Sequence, residues 1–244
     1  MIQFKIDATE STNDYLKQLL RQGPINDGVV VRTLDQTKGR GQRGADWFFK
    51  KNKSLAMSVL KIWTGTLKPN PIHLQWVITN SVFEVLSDLG GATWHIKWPN
   101  DIMADGKKIA GLLIEHQFKG SLQSSVIGVG VNVNNSNIHG LPHASSIANV
   151  LGRSFDLEDL CERLAHKIYS ACQAIQHKDF DHDLIKFNAC LYRKNTISIF
   201  IDNDQQKLEG VIRGVTPQGY LEIQTQHGLK AYEVGTIKMK LDLP

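Results

Sequence analysis

The chain has 244 residues, 41% hydrophobic and 21% charged, with a formal net charge of +4. That composition is ordinary for a globular protein with a sizeable core, and so mild a balance, without a long run of Lys or Arg, gives nucleic-acid binding no support. No apolar segment approaches a membrane span. Cys161, Cys172 and Cys190 leave an odd thiol under any pairing, and MIQFKIDATE has no apolar leader, so the expectation is a cytoplasmic protein.

In chain order, Ser11 or Thr12 can cap a helix through Asn13–Arg21, with Asp14 in its first turn and Tyr15, Leu16, Leu19 and Leu20 as its buried stripe. Gly28–Leu34 and Ser54–Lys61 read as strands flanking a glycine-rich loop, and Ile72–Leu89 has helical spacing. Strands are predicted at Thr93–Trp98, Ile102–Ala104, Lys108–Glu115 and Leu122–Val133, with a tight turn at Gly106. Leu122–Val133 is a candidate sheet edge for a partner strand, which leaves a homodimer open. Asn132–His143, rich in Asn, Gly and Pro, reads as a mobile loop with little to pack. Leu157–Gln176 and Phe180–Leu191 follow as amphipathic helices, with Cys161 and Cys172 as buried small hydrophobes. Five short strands, Thr196–Ile201, Leu208–Val215, Tyr220–Gln224, Lys230–Val234 and Thr236–Leu241, then suggest a small β-barrel. The expectation is an α+β body over residues 1–191 and an all-β module over 192–244.

QTKGRGQRGADW, Gln36 to Trp47, sets Gly39, Gly41 and Gly44 among Lys38, Arg40 and Arg43. Glycines let backbone N–H groups approach an anion, and Arg40 adds a forked, permanently charged donor. The spacing is not that of a Walker A loop, and the GxGxxG string opens no apolar helix. A charged surface hairpin is the alternative. In KWPND, Pro99 pushes Trp98 toward an extended conformation, so Lys97 would end a strand in a fixed direction, able to pair with carboxylate or phosphate. Lys97 as an exposed strand-end lysine is the competing reading. Gly111, Gly128 and Gly130 in buried strands suggest close approach by a ligand or another backbone, or strand–helix packing. His139 and His143 have i, i+4 spacing, but Gly140 and Pro142 argue against a helical metal pair. Trp63, Trp76 and Trp94 read as core or cavity walls.

Ser11-Thr12-Asn13, GRGQRG with Trp47 after it, KWPND, KKIAGLLIE and GVGVNVN occur in an order that resembles the biotin protein ligases. The resemblance implies a mixed sheet with helices, as in the catalytic domains of class II aminoacyl-tRNA synthetases, and a small SH3-like C-terminal domain. It further implies that biotin reacts with ATP to give biotinyl-5′-AMP, and that biotin then passes to a lysine of a biotin carboxyl carrier domain. By motif, Ser11, Thr12, Asn13 and Gln36 would hold the ureido head. Arg40 and the loop of Gly39, Gly41 and Gln42 would fold over the carboxylate and phosphate, and Lys97 would contact both. Arg43, Trp47, Asn100, Lys108, Gly111, Gly130 and Asn132 would line the adenylate site, and residues 132–146 would close over it. Mg²⁺ is expected with ATP, without assignable protein ligands. Asp101 is near Lys97 in sequence, but the resemblance names no base.

Two departures stand out. Many relatives carry arginine where this chain has Gln42. The biotin-side motif begins at Ser11, so a monofunctional enzyme without a DNA-binding repressor domain is expected. The rival readings are a lipoate or octanoate ligase of the same superfamily and a non-catalytic biotin sensor.

Overall fold

Ser11 occupies the N-cap of α1 (Thr12–Gln22), where its side chain accepts from the Asp14 backbone N–H and satisfies a donor that a first helical turn leaves open. The predicted stripe holds: Leu16 is fully buried, and Tyr15, Leu19 and Leu20 pack with it against Val29, Val31, Leu60 and Val126. The structure is a computed structural model that describes residues 1–65, 68–138, 140–175 and 179–241.

The larger sheet has seven strands in the order β1-β2-β3-β7-β6-β5-β4. They are β1 (Gln3–Ile6), β2 (Val30–Thr33), β3 (Ser54–Ile62), β4 (Trp94–Lys97), β5 (Asp101–Ala104), β6 (Lys107–Lys119) and β7 (Ser121–Asn132). The β1–β2 pair is parallel and the remaining pairs are antiparallel, which makes the sheet mixed. β1 is absent from the predicted strands; it is a short edge strand whose burial pattern is mostly exposed. Its pairing with β2, rather than an apolar pattern of its own, makes it a strand.

Alternation along the strands divides the core in two. Val30, Leu55, Met57 and Val59 point to the main core with α2 (Pro71–Ser87), α4 (Leu157–Ala174) and α5 (Phe180–Ala189), while Val29, Val31 and Leu60 point to α1. Trp63, Trp76 and Trp94 all belong to the main core. A further short helix, α3 (Ile147–Leu151), escaped the sequence reading; Ser146 caps it and left-handed Gly152 ends it. Beside α1, the sheet face at Gly111 and Leu113 of β6 and Gly128 and Gly130 of β7 is left open to a cavity.

Two expectations fail here. Leu122–Val133 is no sheet edge, because β7 lies between β3 and β6 along its length. The segment after Asn132 is irregular among the described residues, but it is packed: Val133, Asn135 and Ile138 are buried. Asn135 donates to Ser54 Oγ at 2.9 Å and its carbonyl accepts from Ser146 Oγ at 2.7 Å. Polar side chains anchored in the body give this loop the packing that its composition concealed. His139 lies outside the described residues, and with it the His139–His143 pair.

The smaller sheet is antiparallel, ordered β11-β10-β9-β8-β12. Its strands are β8 (Ile197–Asp202), β9 (Lys207–Val215), β10 (Leu221–Thr225), β11 (Gly228–Tyr232) and β12 (Ile237–Met239). Edge strands β11 and β12 are joined by a tight turn in which Thr236 N–H donates to the Glu233 carbonyl. A flat sheet of this width would hold its edges ~19 Å apart at ordinary strand spacing, so the turn requires the sheet to curl toward a barrel. No described helix is long and apolar enough to cross a membrane.

The Cys161 thiol lies fully buried against Met57 Sδ, and burial pushes its pKa up to about 12. Only the thiolate reacts, so at pH 8 about one molecule in 10⁴ would carry the reactive form. Labelling by iodoacetamide, mapped by mass spectrometry, is expected to reach half-buried Cys190 long before Cys161 in the folded protein. Equal rates would contradict this packing.

Candidate functional site

The uncovered sheet face forms the base of a cavity of about 400 Å³ whose polar end is built from the start of α1. Ser11, Thr12 and Asn13 are buried there although they are polar, because the helix start packs directly on β3, β6 and β7. Gln36 Oε1 accepts from Thr12 N–H at 3.0 Å. Ser58 Oγ lies 2.8 Å from Thr12 Oγ1 and 2.6 Å from Asn13 Oδ1. Asn13 Nδ2 donates to the Leu113 carbonyl at 3.2 Å and to Glu115 Oε2 at 2.8 Å. Gly128 is required beneath this group, since a Cβ would run into the Asn13 amide. Gly39 is held as tightly, a Cβ there falling 2.7 Å from Gln36 Nε2.

The glycine-rich loop over the cavity is a compact turn. Gly41 N–H donates to the Ala45 carbonyl at 2.6 Å and Trp47 N–H to the Gly39 carbonyl at 2.9 Å, while Arg43 takes a left-handed conformation (φ 56°) in a 3₁₀ turn over Gln42–Gly44. The idea that the loop's N–H groups stand open for an anion is therefore corrected: at least these two are turned inward, and side chains carry the loop's positive charge. Arg40 Nη2 bonds Asp14 Oδ1 at 2.5 Å. The Arg43 guanidinium lies against Gly235, whose missing side chain makes room for it. Through that contact the curled C-terminal sheet closes one side of the cavity, with Lys238 and Leu241 also on the wall.

Lys97 and Asp101 face each other across the β4–β5 pair. The strand ends at Lys97, and the intervening residues form a turn with a cis Trp98–Pro99 bond, a geometry that proline's tertiary amide tolerates. Lys97 Nζ lies 3.2 Å from Asp101 Oδ2, and Lys108 Nζ lies 2.7 Å from Asp101 Oδ1. One carboxylate thus holds two ammonium groups together. Asn100 donates to the Leu112 carbonyl and fixes the turn to β6.

Trp47 lies flat on Gly111 and Gly130: a Cβ at Gly130 would fall 2.5 Å from its ring and one at Gly111 2.9 Å. Lys108 Nζ sits 5.3 Å from the ring centroid. Trp47, Lys97, Asp101 and Lys108 also line a second cavity of about 210 Å³, bounded on its far side by Asn132, Pro142 and His143. Two buried polar atoms at these cavities, Trp47 Nε1 and Asn132 Oδ1, have no hydrogen-bond partner among the described residues. Buried polar groups are normally satisfied, and these two, on residues that line the cavities, are not.

The site residues read from the sequence line these cavities, Asn132 only the second, except Gly39, which packs behind them on Gln36 and Trp47; Lys38 and Gly44 of the same loop line neither. The sequence reading missed Ser58, Glu115, Asp14 as the partner of Arg40, and the contribution of Gly235. Asp14 and Glu115 are bridged by Lys17, 2.8 Å and 2.7 Å away. Burial would raise the Asp14 carboxyl, but the hydrogen bonds and charges of Lys17 and Arg40 outweigh it and hold the carboxyl below its ordinary range. The arrangement offers a polar pocket for a ring bearing donors, a cationic junction for acidic groups, and a second chamber with an aromatic wall.

Residues 6–132 match the biotin/lipoate A/B protein ligase family. The chain is 28% identical to the bifunctional ligase/repressor BirA of Escherichia coli (strain K12), over 96% of this chain and 73% of that protein. It is 30% identical to the biotin–[acetyl-CoA-carboxylase] ligase of Paracoccus denitrificans, over 64% of this chain and 67% of that one. In fold it resembles the biotin protein ligase of Aquifex aeolicus solved with biotin and ATP, at a TM-score of 0.80 and 23% identity, covering 98% of both chains.

Proposed function

The chain belongs to the biotin/lipoate A/B protein ligase family, and from that premise we propose that it activates biotin with ATP and transfers it to a lysine of a biotin carboxyl carrier domain. The observation that carries this reading is the joining of two cavities at Lys97, Asp101 and Lys108, with a polar floor at the far end of the first. A fused ring with ureido N–H groups suits that floor, where Asn13 Oδ1, Gln36 and the hydroxyls of Ser11 and Thr12 gather, with Ser58 buried behind them. A lipoyl ring has no N–H to offer, and an octanoyl chain has no polar head, so the floor favours biotin over both.

In the proposed first step the biotin carboxylate is the nucleophile. It attacks the α-phosphorus of ATP, the phosphoanhydride bond breaks, and pyrophosphate leaves with the electron pair. The chain need only align the reactants and neutralise the charge that builds on phosphorus. Lys97 at the junction serves that purpose. Arg40, with Gly39, Gly41 and Gln42, would cover the carboxylate and phosphate, and Arg43, Asn100 and Lys108 would flank them. Trp47, on Gly111 and Gly130, and Asn132 would line the nucleotide chamber. In the second step the acceptor amine attacks the acyl carbon and AMP departs.

Mg²⁺ would enter on the triphosphate, coordinated mainly by phosphate oxygens and water. Of the two carboxylates that line both cavities, Asp46 and Asp101, the second already holds two ammonium groups, so the donor set fits an ion carried mainly by the nucleotide. We further place the domain division at 191/192 and the protein in the cytoplasm, with a homodimer left to hydrodynamic measurement.

Incubating the protein with biotin, Mg-ATP and a carboxyl carrier domain, then weighing the carrier by mass spectrometry, tests the overall reaction. One added biotinyl group is the expected result; adenylate formation without transfer would favour the sensor. Gln42 lines the first cavity without a charge, and Gln42→Arg would add a charge-assisted bond to the adenylate. The bound intermediate is expected to live roughly tenfold longer in this variant, followed by release of labelled adenylate on a gel-filtration column. An unchanged lifetime would contradict the placement of Gln42.

A further inference from the structure

Asn13 is a buried polar group of the floor, and its amide cannot be turned over. Both partners of its Nδ2, the Leu113 carbonyl at 3.2 Å and the Glu115 carboxylate at 2.8 Å, are acceptors only. An amide nitrogen has two hydrogens to give, so both are spent. The oxygen faces Ser58, whose Oγ is 2.6 Å away, and a carbonyl-type oxygen keeps a second lone pair for another donor. The Asn13 amide thus presents the cavity with an acceptor.

Glu115 does not line the cavity. Its second oxygen is held by Lys17 at 2.7 Å, and Lys17 is held in turn by Asp14 at 2.8 Å. The carboxylate is therefore fixed from outside the pocket and points inward at one amide. The Leu113 carbonyl alone is the longer of the two contacts, so without Glu115 the amide could rotate and offer N–H groups toward the ligand.

We propose that Glu115 is a positioning residue for substrate specificity: by fixing the Asn13 amide, it makes this part of the floor select a carboxylic acid whose head bears ring N–H donors. The assignment rests on the biotin reading given above. Glu115 touches neither substrate nor reacting atoms, so its influence falls on binding of the acid and not on the chemical step.

The test compares wild type, Glu115→Ala and Glu115→Gln by calorimetric titration with biotin and by biotin-dependent pyrophosphate exchange, with thermal melting of each. Glu115→Ala is expected to weaken biotin binding roughly tenfold, the scale of one lost charge-assisted hydrogen bond. The KM for ATP and the rate at saturating biotin should stay within about twofold of wild type. Glu115→Gln keeps an oxygen acceptor for Asn13 and should recover most of the affinity, which a merely structural loss would not produce. Unchanged biotin affinity in Glu115→Ala, or an equal loss in biotin and ATP, would overturn the assignment alone. Failure of the folded wild type to bind biotin would overturn the substrate reading and this assignment together.

Discussion

Lys97→Ala is expected to slow biotinyl-adenylate formation by about a hundredfold or more, the usual scale for removing a charge aimed at a developing oxyanion. The fold should survive. Lys97 is half-buried and its ion-pair partner Asp101 keeps a second, shorter contact with Lys108, so no buried carboxylate is left unpaired. The effect should fall on the rate at saturating substrates more than on biotin affinity, because the polar floor lies at the other end of the cavity. Pyrophosphate exchange beside a thermal melt separates the outcomes. Near-normal exchange would remove Lys97 from the mechanism, and a collapsed melting transition would make it a structural residue.

Gly128→Ala should abolish tight biotin binding by a steric route. Gly128 lies in β7, directly opposite Ser58 on one side and Leu113 on the other. An added methyl group would meet the Asn13 amide, which is buried and tied to Ser58 and Glu115. Displacing the amide leaves buried polar atoms unsatisfied at about 1–3 kcal/mol each. Biotin affinity is therefore expected to fall roughly a hundredfold, with a lowered melting temperature. The double variant Gly128→Ala/Asn13→Ala should regain stability, since the obstacle has gone, but not biotin affinity. Additive losses in that cycle would show that the two residues do not meet.

The elements most legible in the sequence were those whose side-chain period reports their burial. The stripe of α1, the β-branched run of β2 and the long apolar pattern of α2 all depend on their own residues. β1 and α3 were not legible because one is a short exposed edge and the other a single capped turn. Gly or Pro beside charged groups made the loop at Gly39–Gly44 and the KWPND turn locally unusual, whereas Ser11, Thr12, Asn13, Gln36, Trp47 and Asn132 were assigned roles only through the family resemblance. Ser58 and Glu115 were missed because register gives them their roles. Ser58 matters by standing opposite Gly128, and Glu115 by lying two residues beyond Leu113 on the same strand face. Parity counted from Gly111 through Leu113 was the available signal for Glu115. The Arg43–Gly235 contact had none, since it joins two distant segments through a packing fit.

Acid-dependent exchange of labelled pyrophosphate into ATP, with biotin, lipoate and octanoate supplied separately in the presence of Mg²⁺, tests the central claim most directly. The two joined cavities predict exchange with biotin and little with the other acids. Exchange driven by lipoate or octanoate instead, or no exchange with any acid by the folded protein, would contradict it.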